Sequence, residues 1–487
     1  MKKLLTSKQV KYCDSVCIKE LKISEIELVK RAAKALYLRL RRYNNFLIVC
    51  GNGNNGADGL ALASLLYKAK KNVDVYVFNG SRTITNAYYL KEYKGNIVNS
   101  IEDKYDVVID GIFGIGLNKI VKDPYREIID ELNDIKGKKI SIDIPSGTDA
   151  SSGLILGTSF IADRTYTFIA EKTGSYLNDG KDTSKRNVAI DIGVTYLAPN
   201  VYRIERSDIR LVKRKYNVNK STFGKCIIIG GSKFMIGAPL LSYMATTSLK
   251  SGAGYVVLAV PKSNLKAYQS RTLENMLFEL DDIDGQYIFK KETAEKLVRN
   301  NPSIAIGMGM GTSEEVKKLI KYILTNSSCN LLIDADGLNS IDEKILSIPT
   351  YCNVCITPHI KEFSKLTGIT IDEISNDPIF YTREFAKRTN TTVLLKGTSS
   401  IVSNGSLSYV VTNGTPALSK GGSGDVLSGI IISLLSQGYS KDQSLIYGQY
   451  LLNEMGKIAE EKLGVMSPIA SDLIKELPKV FKKHYIE

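Results

Sequence analysis

Two α/β domains in one chain are what this sequence predicts, on three observations. Its 487 residues exceed what a single hydrophobic core ordinarily organises. Short apolar runs alternate with amphipathic stretches, the rhythm of βαβ units in a mostly parallel sheet covered by helices. That rhythm lapses in a charged, irregular segment, residues 199–224, and then restarts. The boundary is therefore expected near residue 210, with residues 1–206 as one domain and 207–487 as the other. No motif of the first half recurs in the second, which speaks for fusion rather than duplication.

The elements follow in order. Residues 7–40 interleave charges with apolar positions at helical spacing and carry little strand character. Strands are then expected at 46–50, 73–78, 107–109, 139–144, 165–169 and 188–192. In the second half they are expected at 226–229, 255–260, 303–306, 331–333, 354–356 and 392–395. A helix opens at Gly237-Ala238-Pro239, and the apolar run 426–435 reads as another, directly after a cluster of glycines.

With 43% hydrophobic and 24% charged residues, the composition is that of a globular protein. A net charge of +14 fits nucleic acid, a membrane surface or anionic small molecules. Zinc-finger spacing, an RNP-type aromatic motif and a basic coiled coil are all missing, so phosphorylated metabolites explain the charge as well as nucleic acid does. The start, MKKLLTSKQV, has no apolar signal core, and no run is long enough to span a bilayer, so a cytoplasmic protein is expected. Cys352 and Cys355 have metal-like spacing but lack a second pair, and the seven cysteines read as reduced core thiols. Only His359 and His484 are present, which excludes a histidine-rich metal site.

Gly51-Asn52-Gly53-Asn54-Asn55-Gly56 follows the first strand and satisfies the dinucleotide pattern GxGxxG. A dehydrogenase would also need an acid at the end of the next strand, where Asn79-Gly80 stands, so hydride transfer is the weakest reading. Asn54, Asn55 and Asp58 crowd the loop. Asp110 opens Asp110-Gly111-Ile112-Phe113-Gly114-Ile115-Gly116-Leu117, and Ile142-Asp143-Ile144-Pro145-Ser146-Gly147 ends the fourth strand. Loops at the carboxyl ends of parallel strands share one rim, and such oxygen-bearing side chains suit a hard cation.

These segments resemble the NAD(P)H-hydrate epimerase family, over about the first two hundred residues. The resemblance implies a Rossmann-like parallel α/β sandwich that binds the hydrated nucleotide through Asn54, Asn55, Gly56, Ala57, Asp58, Gly114, Ile115, Gly116, Leu117, Asn118, Lys119, Ile120 and Asp143. It implies potassium on Asn55, Asp110 and Ser146; Asp143 is in addition expected to assist proton transfer at the hydrate. Ala57 stands where that family usually has glycine, and Ile115 where threonine is common.

In the second half, Lys420-Gly421-Gly422-Ser423-Gly424-Asp425 precedes the 426–435 helix. Backbone N–H groups there converge on an anion at a helix N-terminus, and Asp425 is placed to take a proton from a hydroxyl attacking a phosphate. Gly230-Gly231-Ser232, the glycine run 307–311, Asp334-Ala335-Asp336-Gly337-Leu338-Asn339, Thr357-Pro358-His359 and Lys396-Gly397-Thr398 fall at other strand ends. Together, from about residue 215 onward, they resemble the NAD(P)H-hydrate dehydratase family, a branch of the ribokinase-like fold. By that resemblance Ala238, Gly309, His359 and Asp425 contact the hydrate, and Lys396, Gly397, Thr398, Ser399, Ser400 and Gly424 hold an adenine nucleotide. Lys420 occupies a position that is more often small.

The combined resemblance implies a bifunctional metabolite-repair enzyme. The first domain would interconvert the R and S hydrates of NADH or NADPH. The second would dehydrate the S form through a phosphorylated intermediate, consuming ADP or ATP with Mg2+. A homo-oligomer acting on small molecules, without nucleic acid or membrane, is expected. The rival readings are a small-alcohol kinase of the same fold, of hydroxymethylpyrimidine or hydroxyethylthiazole type, and an N-terminal half that only binds nucleotide.

Overall fold

The computed structural model of the chain describes residues 1–194, 199–247, 251–274 and 276–485. It divides into two compact units, Lys2–Tyr202 and Arg203–Glu487.

In the first unit, β1 (Lys2–Leu5) precedes the helices Ser7–Lys19 and Glu25–Leu40. The expected continuous helical region is thus broken at residues 20–24, where Ser24 caps the second helix by accepting from the Glu27 N–H. The parallel strands are β2 (Asn45–Cys50), β3 (Asn72–Val77), β4 (Asn96–Val98), β5 (Val107–Gly111), β6 (Lys138–Ile142) and β7 (Arg164–Phe168). β8 (Glu171–Lys172) pairs with β1, and β9 (Asn187–Ile190) returns to the main sheet. That seven-stranded sheet runs β4-β3-β2-β5-β6-β7-β9. Alternation along β2 feeds both faces: Phe46, Ile48 and Cys50 join one apolar cluster, while Leu47 and Val49 join the other. The chain goes from β2 outward to β3, then crosses back to place β5 on the other flank of β2. This reversal opens a crevice at the carboxyl ends of β2 and β5.

β10 (Val201–Arg203) spans the junction of the units. In the second unit, β11 (Lys225–Gly230), β12 (Tyr255–Pro261) and β13 (Met276–Leu280) come first, and β14 (Asp282–Ile283) with β15 (Gln286–Tyr287) forms a separate antiparallel ribbon. β16 (Ser303–Met308), β17 (Asn330–Ile333), β18 (Asn353–Ile356) and β19 (Thr392–Leu395) follow, then β20 (Ser400–Ser403) and β21 (Ser408–Val411). Within the unit the order is β13-β12-β11-β16-β17-β18-β19-β20-β21, parallel as far as β19 and antiparallel after it. The α/β class expected of both halves is what is found. Its core on one face is the helix Ser423–Ser436, whose Val426, Leu427, Ile430, Ile431 and Leu434 are buried.

The unexpected strands are short or lie in the sheet margins. β4 has three residues and little burial, β13 is an edge with mostly half-exposed side chains, and β20–β21 is a hairpin interrupted by serines. Such strands lack the apolar run that marks a central parallel strand. The fourth strand ends at Ile142, before the expected 144, because Asp143 turns into positive φ. All seven cysteines are buried and unbridged. Cys352 and Cys355 do not converge: the Cys352 thiol lies 3.7 Å from that of Cys329, while Cys355 is packed in the main core. Among the described residues no helix is long and apolar enough to cross a membrane.

Candidate active sites

The crevice of the first unit is built by its glycine loop. A Cβ on Gly56 would lie 1.9 Å from the Gly51 carbonyl oxygen, so only glycine lets the loop fold this tightly. The Asn86 amide donates to the Gly51 and Gly53 carbonyls at 2.9 Å each and locks the turn. The helix Asn54–Lys68 then starts at Gly53 with no side-chain cap, leaving its first N–H groups available to an anion. Ala57 lies inside this helix, fully buried in the core cluster, so its methyl meets neither the cleft nor a positive φ. Ile115 packs beside Leu5 and Val10.

A cleft of about 1260 Å³ opens above the loop. Of the residues singled out from sequence, Asn54, Asn55, Asp58, Gly114, Ile115, Gly116, Leu117, Asn118, Lys119, Ile120 and Asp143 line it, and Gly56 and Ala57 lie buried beneath. Asp14, Glu25 and Lys172 line it as well. Asp14 and Lys172 carry no sequence signal of their own: one is an aspartate on an amphipathic helix, the other a lysine after a strand.

Beside the cleft, Asp110 is completely buried. It accepts from the Ser146 hydroxyl at 2.5 Å and N–H at 2.8 Å, the Ser141 hydroxyl at 3.1 Å and the Ile112 N–H at 3.1 Å. No ammonium or guanidinium pairs with it among the described residues. Burial pushes its carboxyl up to about 6, against the downward pull of the Ser146 bonds. The Asn55 amide donates to the Phe113 carbonyl at 2.9 Å, and the Phe113 N–H donates to the Ser146 hydroxyl at 2.8 Å. Carboxylate, hydroxyl, amide and carbonyl oxygens therefore gather around an uncompensated buried charge, and this donor set fits a hard monovalent cation.

Asp143 sits at φ 68°, nine-tenths buried. Its Oδ1 accepts from the Lys172 ammonium at 2.5 Å, the Thr167 hydroxyl at 3.1 Å and the Phe168 N–H at 3.2 Å. Lys172 has no exposed surface and also donates to the Thr167 hydroxyl at 2.7 Å and the Phe168 carbonyl at 2.9 Å. Burial, then the charge of Asp143, raises Asp14 to about 6 and holds Asp58 well above the usual carboxylate range.

In the second unit, Gly422 adopts φ 92° and starts the helix Ser423–Ser436, while the Ser423 hydroxyl ties back to the Lys420 carbonyl at 2.6 Å. The positive φ turns the Gly421–Gly424 backbone across the helix N-terminus. The Lys420 ammonium is bonded to the Met466 carbonyl. Asp425 occupies the helix's first turn, where burial, then the charge of Asp334, pushes its carboxyl up to about 7. Asp334 accepts from the Lys396 ammonium at 2.9 Å and the Ser428 hydroxyl at 2.6 Å. Burial opposes the charge of Lys396, but Asp334 and Glu362 outweigh it and raise its pKa. The same ammonium is 3.7 Å from where a Cβ on Gly424 would stand, so Lys396 connects the acidic cluster to the anion-binding turn.

Gly309 and Ala238 are neighbours: a Cβ on Gly309 would lie 3.2 Å from that of Ala238. His359 caps the helix Ile360–Thr367 through Nδ1, 3.1 Å from the Lys361 and Glu362 N–H groups, its Nε2 lies 3.4 Å from the Glu362 carboxylate, and its side chain is half exposed. It bridges in parallel to Lys396. Gly397, Thr398, Ser399 and Ser400 form the turn into β20.

Comparisons with known proteins show the family and the fold. Residues 226–479 match the family described as NAD(P)H-hydrate dehydratase, and residues 26–174 match that described as YjeF-related protein N-terminus. A bifunctional NAD(P)H-hydrate repair enzyme of Dictyoglomus turgidum is 31% identical across 98% of this chain and 98% of its own. Its counterpart in Coxiella burnetii is 29% identical over 97% and 98%. Among solved structures, an ADP/ATP-dependent NAD(P)H-hydrate dehydratase from Bacillus subtilis, crystallised with ATP and Mg2+, has a TM-score of 0.52 at 24% identity. It covers 59% of this chain and 100% of its own, and shows a shared fold.

The buried Lys172–Asp143 pair generates a stability prediction. Lys172→Met strands a buried carboxylate and lowers the unfolding free energy by about 3–5 kcal/mol in a denaturant titration. Adding Asp143→Leu recovers a large part of the loss. An unchanged midpoint for Lys172→Met would mean that the pair does not hold the cleft.

Proposed function

The chain belongs to the family of bifunctional NAD(P)H-hydrate repair enzymes, and on that premise we propose which residues carry each activity. It is an NAD(P)H-hydrate epimerase and an NAD(P)H-hydrate dehydratase in one polypeptide. We assign epimerisation to residues 1–206 and dehydration to residues 207–487, ranges close to the two compact units.

For dehydration, the observation that carries the reading is Asp425 in the first turn of a glycine-started helix, beside Lys396. Asp425 takes the proton from the C6 hydroxyl of the S hydrate as that oxygen attacks the terminal phosphorus of ADP or ATP. The bond from phosphorus to the leaving nucleotide oxygen breaks, and the backbone N–H groups of Gly421–Gly424 hold the transferring phosphoryl group. The Lys396 ammonium holds the nucleotide's phosphates, with Gly397 to Ser400 against the nucleotide and Ala238, Gly309 and His359 against the hydrate. The lone pair on N1 then expels phosphate from C6, and loss of a C5 proton restores the ring double bond. Mg2+, with which and with ATP the Bacillus subtilis dehydratase was crystallised, would supply charge neutralisation at the phosphates.

For epimerisation, the hydrate occupies the cleft, with phosphates toward the open start of helix Asn54–Lys68 and against Gly114–Ile120. Asp143 assists proton transfer. Asn55, Asp110 and Ser146 would hold potassium, whose charge would compensate the buried Asp110 carboxylate.

Asp425→Asn lowers S-hydrate dehydration by roughly 10²–10⁴ while epimerisation persists. Because Asp425 acts ionised and its carboxyl is pushed up to about 7, the wild-type dehydration rate falls as pH drops below about 7. Undiminished dehydration by Asp425→Asn, or a rate flat through that range, contradicts the base assignment. Replacing potassium with choline slows R-to-S conversion and leaves S-hydrate dehydration unchanged. Equal epimerisation in both salts contradicts the cation site.

A further inference from the structure

We propose that Asp14 is the general acid of the epimerisation, working with Asp143 as the base across one ring of the hydrate. The proposal rests on the epimerase reading of the cleft and names a residue to which that reading gives no role.

Inversion at C6 needs the C6–O bond to break and reform on the opposite face. Departure of hydroxide from neutral solution is slow, so the leaving oxygen must receive a proton, and the entering water must lose one. Two carboxyl groups in opposite protonation states meet that demand. The cleft holds two carboxyl groups in different surroundings. Asp143 accepts all its hydrogen bonds on Oδ1, so Oδ2 has none among the described residues, and the Lys172 ammonium lies 2.5 Å from Oδ1. Asp14 reaches the same cleft from the helix Ser7–Lys19, with no hydrogen-bond donor acting on its carboxyl among the described residues. Its surroundings are acidic on balance: Asp143 and Glu25 disfavour its charge, while Lys172 favours it more weakly than burial opposes it. Lys11 and Asp58 also line this wall. Asp14 is thus pushed up to about 6, so a fraction of it still carries its proton as neutrality is approached.

The step balances without any redox partner. The Asp14 carboxyl gives its proton to the C6 hydroxyl, which leaves as water while the N1 lone pair forms an N1–C6 double bond. Water adds to C6 from the other face, the electron pair returns to N1, and the released proton goes to Oδ2 of Asp143. Proton exchange with solvent resets the pair. In the reverse direction the two carboxyls exchange roles.

The test follows purified R-NADH hydrate by chromatographic separation of the epimers, using the full chain without added nucleotide. Wild type accelerates R-to-S conversion above the spontaneous rate, and the rate falls tenfold per pH unit above about 6. Asp14→Asn loses roughly 10²–10⁴ of that rate and the alkaline limb with it, while dehydration of S hydrate by the same preparation continues. Asp14→Glu, which retains an ionisable group, regains part of the rate with a displaced limb. An Asp14→Asn rate within threefold of wild type, or a limb that stays in place in Asp14→Glu, overturns the proposal. A wild type that fails to accelerate conversion at any pH overturns the epimerase reading instead.

Discussion

A carboxylate taken out of water must find a cation, gather hydrogen bonds or keep its proton, and that constraint organises both halves of the chain. Asp143 and Asp334 take the first course, each against a lysine at the end of another strand. Asp110 takes the second, satisfied by hydroxyls and N–H groups but left without a cationic side chain. Asp14 and Asp425 are instead raised, to about 6 and about 7, into the range where a side chain can both give and accept a proton. In each unit a charged lysine–aspartate pair thus lies beside a carboxyl with its pKa near neutrality. Surroundings that differ in this way let one residue type serve different roles in a site.

The sheets decide where these groups meet. In a parallel sheet all carboxyl ends face the same edge, so the loops after β2, β5 and β6 open on one crevice. Close backbone approach then depends on glycine, as where Gly56 lies against the Gly51 carbonyl and Gly307 against the Asp334 carbonyl. A side chain at either place would push the loop off its neighbour and move the carboxylates that the loops carry.

Much of this was legible in the sequence, and the reason is physical. Buried parallel strands are continuous apolar runs, and the glycines and aspartates at their ends are the residues a tight strand-to-helix turn requires. The α/β class and its central strands were therefore readable, as were the loops now found around the cleft. Edge strands such as β4 and the serine-broken hairpin β20–β21 were not, because they bury too little to leave an apolar pattern. Asp14 and Lys172 were invisible for another reason. Each looks like an ordinary surface charge, and only the packing of the first helix and of the β7–β8 turn carries them into the cleft. Ala57 shows the converse: a departure from the expected glycine that the helix buries harmlessly.

The central claim is that one chain both inverts and dehydrates the damaged cofactor. The most direct measurement is recovery of NADH absorbance from a mixture of R and S NADH hydrates, with the protein, Mg2+, potassium and either ADP or ATP. Recovery that passes the S fraction and reaches completion faster than spontaneous epimerisation is the predicted result. Recovery that stops at the S fraction, or a phosphorylated product that accumulates without NADH, would contradict it.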